Sequence, residues 1–212
     1  KLTTNDIQQF CTWMKSDDHM GGGSIADSQI RNCFSLCHRA LEKARTEHLI
    51  PRDPTEGHKL SPVRYEEMKI LSREAMQKLL IQAKEENYYE LFLLELATGL
   101  RLGELCGLQW QDVDVGAGLL HIQRTVERIA QIGGGTCMTV QPPKTENSER
   151  WIPIPKEMLR MLKPETKQPD SYLLTGGEIV PDPRAMQYRY KVLLERCGVR
   201  YRNFHCLRHS YA

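Results

Sequence analysis

Two stretches far apart in the chain carry residue types that together suit phosphate chemistry. Ala97-Thr98-Gly99-Leu100-Arg101-Leu102-Gly103-Glu104-Leu105 and His205-Cys206-Leu207-Arg208-His209-Ser210 supply two arginines, a histidine and a carboxylate. Gly99 suits the left-handed end of a helix. Arg101 is therefore expected just inside the start of the next helix, where a planar fork of donors and unfilled backbone N–H groups favour an anion. A lone Gly-Leu-Arg would equally read as an arginine bridging two helices. Glu104 shares a helix face with Arg101 and could hold its guanidinium or simply solvate a surface. His205 and Arg208 repeat the geometry near another helix start, one turn apart, so they can converge on one point. An isolated histidine beside apolar residues is usually a core residue, but two arginine motifs of matching context favour a site. His209 reads as an outer partner at best, and Tyr211 as core. Lys144 lies in Pro142-Pro143-Lys144-Thr145-Glu146-Asn147-Ser148-Glu149-Arg150-Trp151-Ile152-Pro153. It is expected on a β-hairpin turn, from which a lysine can reach a substrate groove and donate a proton; most hairpin lysines only keep turns soluble.

Other chemistries find less support. Cys33-x-x-x-Cys37-His38 resembles a metal motif, but both cysteines fall on an apolar helix face with no second ligand pair of suitable spacing, so no metal is expected. No glycine-rich phosphate loop follows a strand, which argues against a nucleotide-dependent enzyme; no cofactor is expected. The seven cysteines form no regular framework and no signal segment precedes them, which reads as a reducing, cytoplasmic setting. No apolar run approaches the roughly 20 residues of a membrane span. The net charge of +2 is uninformative, but its distribution is not. From Arg184 onward, Arg184, Arg189, Lys191, Arg196, Arg200, Arg202 and Arg208 face a single acid, Glu195. Such clustering is a footprint for phosphates, and equally a solvated helix face until the motifs are weighed.

The elements that must position these residues follow from periodicity and punctuation. Thr4 is expected to cap a helix with Ile7, Phe10, Cys11 and Met14 inward. Gly21-Gly22-Gly23-Ser24 then breaks the chain, as a natural loop or an engineered linker. A longer helix follows, with Ile30, Cys33, Phe34, Cys37, Leu41 and Ala44 on one face. Pro51 to about Arg64 reads as a linker, which divides the chain into a helical unit with linker, 1–64, and a larger domain, 65–212. In the second domain Ser72 caps a helix, Tyr88 to Ala97 forms a central one, and a short one runs from Leu102 to Gly107. A turn is expected from Asp112 to Gly118. Strands are expected near Leu119–Val126, Thr136–Gln141 and Arg150–Ile154, then helices opening at Pro155 and Pro183, the latter closed by Gly198. The fold class is mainly α with one small antiparallel β-sheet (α+β).

Thr-Gly-Leu-Arg-x-Gly-Glu-Leu, Pro-Lys-Thr-x-x-Ser-x-Arg and His-x-Leu-Arg-His-Ser, in this order, resemble the tyrosine recombinases, most of all the integrases of conjugative transposons and phages. The resemblance runs through nearly the whole chain and is strongest from Glu90 to Asp114 and from Phe204 to Ala212. It implies a core DNA-binding domain and a catalytic domain that clamp double-stranded DNA, and bacterial, cytoplasmic, nucleoid-associated recombination of a mobile element. Partner protomers would join on DNA in a tetrameric synapse. It further implies that Arg101 and Arg208 bind the scissile phosphate, that Lys144 protonates the departing 5′ oxygen, that His205 assists and that Glu104 supports the site. Arg184, Arg189, Lys191, Arg200 and Arg202 become candidates for DNA contact. The family continues beyond this point with a Gly-His or Gly-Trp element and a nucleophilic tyrosine, which Tyr188, Tyr190, Tyr201 and Tyr211 do not match. The chain also starts at Lys1 and lacks an arm-binding domain, so a core fragment unable to cleave alone is expected. The rival expectations are a recombinase-derived DNA-binding regulator and a type IB topoisomerase-like fragment.

Overall fold

A computed structural model describes residues 2–16, 25–58, 60, 62, 70–143 and 148–210. The chain divides into two compact units, Lys1–Glu67 and Met68–Ala212. Among the described residues, no helix is long and apolar enough to cross a membrane.

The first unit pairs α1 (Thr4–Lys15) with α2 (Asp27–Thr46). The cap of α1 is Thr3 rather than Thr4. Thr3 has an acid three residues on: its Oγ accepts the Asp6 N–H at 3.3 Å while Asp6 accepts the Thr3 N–H at 2.7 Å. Thr4 has Ile7 at that offset and cannot form the reciprocal box. Cys11, Met14 and Ile30 form the core, with Ile25, Phe34 and Leu60 against it. Phe10 and Cys33, both expected inward, are exposed; Phe10 stacks instead on Trp13 with ring centroids 6.1 Å apart. Both residues lie at the edge of the apolar stripe, where helical spacing alone does not decide the side. The chain after α2 is not free linker throughout. Asp53 and Thr55 are buried, with the Thr55 N–H and hydroxyl donating to one Asp53 oxygen at 2.8 and 2.6 Å. His38 reaches the Thr55 hydroxyl at 2.7 Å, which ties this turn to α2. Residues 21–24 lie outside the described residues.

The second unit runs α3 (Arg73–Glu85), α4 (Tyr89–Thr98), α5 (Leu102–Gly107), five short strands, then α6 (Lys156–Leu162), α7 (Pro183–Arg196) and α8 (His205–Ser210). The strands are β1 (Val113–Asp114), β2 (Leu119–Ile122), β3 (Thr125–Ala130), β4 (Thr136–Gln141) and β5 (Arg150–Pro153). They make two antiparallel sheets, β1-β2-β5 and β3-β4, where one sheet was expected. The single strand read over Leu119–Val126 is broken at Gln123 and Arg124. Both side chains turn to the buried Asp112, at 2.7 Å and 2.5 Å, and the chain leaves one sheet for the other there. Part of the turn expected after Asp112 is β1, which pairs with β2.

A mainly helical core sits around these sheets. Phe92, Tyr190 and Phe204 meet with centroid separations of 5.3 to 6.4 Å, joining α4, α7 and the approach to α8. The two helix ends that matter for the site are fixed locally. Gly99 ends α4 with φ 58°, a left-handed value that costs a residue with a Cβ. Gly103 packs α5 onto β3 so closely that an added Cβ would stand 2.5 Å from Thr125 Oγ1 and 2.8 Å from the Val126 carbonyl oxygen.

Candidate active site

Arg101 stands at the cap position of α5, its backbone still extended at φ −75° and ψ 146°. Its guanidinium donates to Glu104 Oε1 at 2.8 Å, and its backbone N–H donates to Glu104 Oε2 at 2.9 Å. The carboxylate therefore already occupies the first turn of α5. At α8 the Cys206 N–H donates to the Asn203 side chain at 3.1 Å, and Arg208 is the fourth residue of the helix. The N–H groups expected to be unfilled at these two helix starts thus already have side-chain acceptors at Arg101 and Cys206.

Arg208 donates to the Gly99 carbonyl at 2.6 Å, which brings the second arginine to the turn that precedes the first. His205 is exposed on the same helix, with the His209 ring edge-on at 4.5 Å. Its pKa lies below the usual histidine value because of partial burial, then the neighbouring His209, and then the positive charges of Arg208 and Arg101. Both arginines thus lie near enough to His205 for their charge to disfavour its protonated form. An open cleft of about 540 Å³ runs past Arg208, lined also by Thr98, Gly99, Arg150, Trp151 and His209, with neither Arg101 nor His205 on its wall. His209, read from the sequence as an outer partner at best, lines this cleft beside Arg208.

Two acids and one arginine complete the arrangement. Glu104 is buried and takes Arg150 as well as Arg101, at 3.0 Å to Oε1 and 2.8 Å to Oε2. Burial alone would push its carboxyl up, but the hydrogen bonds from Arg150 and Arg101 outweigh burial and hold it below the usual range. Glu95 on α4 is fully buried, and neither oxygen has a hydrogen-bond partner among the described residues. Burial pushes it up to about 8; the negative charge of Glu104 adds to this and Arg208 opposes it. Sequence reasoning assigned neither Arg150 nor Glu95. The available signals were the arginine ending Pro-Lys-Thr-x-x-Ser-x-Arg and one acid inside the apolar run of α4.

Lys144 and Tyr211 lie outside the described residues. The strands on either side of Lys144 do not pair with each other as the expected hairpin requires: β4 pairs with β3, and β5 with β2. Residues 69–212 match the phage integrase family.

This chain belongs to the phage integrase family. Its sequence and fold resemble those of the tyrosine recombinases. A XerC-like tyrosine recombinase of Caldanaerobacter subterraneus is 34% identical over 167 residues, covering 69% of this chain and 43% of the relative. The ICEBs1 integrase of Bacillus subtilis is 26% identical over 77% of this chain and 42% of that protein. The chain thus spans less than half the length of the curated relatives it matches. Among solved structures, the Tn1549 transposon integrase in complex with a circular intermediate DNA superposes with a TM-score of 0.80 at 16% identity, covering all of this chain and 72% of that one. A lambda integrase dimer bound to a core site gives 0.66 at 15% identity, with 100% and 72% coverage.

The basic run of this chain is partly engaged within the fold. Arg189 lies 4.6 Å over the Tyr88 ring, Arg196 pairs with Glu86 at 2.8 Å and Lys191 with Glu195 at 3.7 Å. Asp182, which precedes Arg184, pairs with Arg128. The single acid counted along the sequence is joined by others from elsewhere in the fold. Arg184 and Arg200 are exposed, and Arg202 is half-buried.

Proposed function

We propose that this chain carries the phosphate-gripping centre of a site-specific DNA recombinase that integrates or excises a mobile element. The observation that carries the reading is the meeting of Arg208 with the Gly99 turn that presents Arg101, beside His205. As a phosphodiester is attacked, charge builds on its non-bridging oxygens, and preplaced cations lower that barrier without reorganising. Arg101 and Arg208 take this role. His205, whose pKa is lowered by its surroundings, donates or accepts a hydrogen bond at the same phosphate. Lys144 gives its proton to the departing 5′ oxygen. A tyrosine hydroxyl attacks phosphorus, its proton passing to His205, and the P–O bond to the 5′ carbon's oxygen breaks as the P–O bond to tyrosine forms. The phosphoester linkage is conserved, so rejoining is the same step reversed and needs no nucleotide. Tyr190 cannot be the attacker: it is fully buried, and burial followed by its contact with Cys206 pushes its hydroxyl far up. We assign the role to neither Tyr188 nor Tyr201.

Double-stranded DNA is the partner in this reading, met through both units, with further protomers joining on the DNA as a tetramer. The 1–64 segment serves as the core-binding part and 65–212 as the catalytic part. Arg184, Arg200 and Arg202 are its preferred phosphate contacts. The test is incubation of the protein at its full natural length with a nicked suicide duplex, followed by denaturing electrophoresis. A covalent protein–DNA band supports the reading. Specific binding without any band would instead make this a DNA-binding regulator.

A further inference from the structure

We infer that Arg150 is a positioning residue for the phosphate-binding Arg101, acting through the carboxylate they share. The inference rests on the recombinase reading above. Glu104 is only 3% exposed, and its two oxygens are divided between the same two arginines. Oε1 accepts from Arg101 at 2.8 Å and Arg150 at 3.0 Å; Oε2 accepts from the Arg101 backbone at 2.9 Å and Arg150 at 2.8 Å. A bidentate arginine fixes a carboxylate plane better than a point cation does. Arg150 therefore sets the orientation of Glu104, and Glu104 sets both the backbone turn and the side chain of Arg101.

Charge leads to the same assignment. A buried carboxylate must be compensated. With Arg101 as its only cation, the positive charge of Arg101 would be consumed by Glu104 and little would remain for a phosphate. With Arg150 present, two cations share one anion and a net positive charge is left over. Solvent exposure says which arginine presents it: the Arg101 side chain is 55% exposed and that of Arg150 27%. Arg150 also has the firmer base. It opens β5, paired across from Ile122 in the sheet, and donates to the Ser148 carbonyl at 2.9 Å. The adjoining Trp151 ring stacks on His121 with centroids 4.2 Å apart, and Glu149 meets His121 at 3.0 Å.

The experiment compares cleavage of two suicide duplexes by the protein at its full natural length. One has an ordinary scissile phosphate, and the other a methylphosphonate there, which carries no charge for an arginine to balance. Arg150→Met is expected to slow cleavage of the phosphodiester by roughly 10- to 100-fold, the range typical of residues that orient a site's direct ligands. Binding affinity should hold and Arg150→Lys should recover part of the rate. The deficit should shrink on the methylphosphonate, as should that of Arg101→Ala, and Arg101→Ala with Arg150→Met should be no slower than Arg101→Ala alone. A general folding defect would slow both substrates equally. Equal deficits on the two substrates, an additive double variant, or a wild-type rate for Arg150→Met and Arg150→Lys would each overturn the inference. Should Arg101→Ala itself cleave normally, the recombinase reading of the site fails together with this one, a result distinct from a failure of Arg150 alone.

Discussion

The Arg208 guanidinium donates to the Gly99 carbonyl across 2.6 Å, joining points 109 residues apart in the chain. Because Gly99 also ends α4 and aims the chain toward Arg101, one turn sets both arginines. Arg208→Ala should raise the cleavage barrier by about 3–4 kcal/mol, as loss of a preorganised donor does. DNA affinity should fall far less, since this is one phosphate contact among many. Adduct yield measured beside fluorescence anisotropy separates the two, and normal adduct formation would make Arg208 purely structural.

Glu104 sits between two arginines with its folded pKa below the usual glutamate value of 4.5. A carboxyl depressed on folding adds stability that is complete above pH 4.5 and is lost as pH falls toward the folded value. Glu104→Gln leaves two cations without their anion and should cost about 3 kcal/mol or more at pH 7. It should also lose the part of the acid-side decline that Glu104 contributes. Urea denaturation between pH 3 and 7 checks both; a variant as stable as the parent at neutral pH would contradict the ion triad.

Glu95 has the opposite sign. Its carboxyl is raised to about 8, so stability falls as pH climbs from 4.5 toward 8. Glu95→Gln supplies a neutral side chain of the same shape. It should match the wild type near pH 4.5 and exceed it at pH 8, by on the order of 4 kcal/mol. Melting temperatures across that range give the answer, and a constant offset at every pH would show that Glu95 does not titrate there.

Gly103 tests the packing beneath Arg101. A Cβ there meets Thr125 Oγ1 at 2.5 Å and the Val126 backbone oxygen at 2.8 Å, and backbone yields little. Gly103→Ala should cost about 1–3 kcal/mol. Gly116→Ala, where the nearest atom is 3.5 Å away, is the control and should stay within roughly 0.5 kcal/mol of the parent. Equal stability of the two variants would mean that α5 shifts freely on β3.

How much of this could be read from the sequence depended on range. Gly99 as a left-handed helix end and Ser72 as a cap follow from local rules, and both stand where expected. That Arg208 reaches the Gly99 turn, next to Arg101 in the chain, was readable only because two motifs pointed to one chemistry. The shared grip of Arg150 on Glu104 spans 46 residues and crosses from a strand to a helix, so no local pattern announces it. Glu95 looked like one polar residue in an apolar helix, and its isolation depends on what α8 and its neighbours bring against α4. Phe10 and the Gln123–Arg124 break share that origin. Periodicity gives a face or a strand, and a partner from elsewhere decides which side it takes or where it stops.

The span of the Arg208–Gly99 bond also sets an order in time. Synthesis runs from the N-terminus at about 5–20 residues per second, so Arg208 is added roughly 5–20 s after Gly99. Arg101, Glu104 and Arg150 are all made before it. A nascent chain can therefore hold its ion triad of Arg101, Glu104 and Arg150 while Arg208 is still missing. In the recombinase reading, the pair of phosphate-gripping arginines is complete only once α8 has docked on the Gly99 turn.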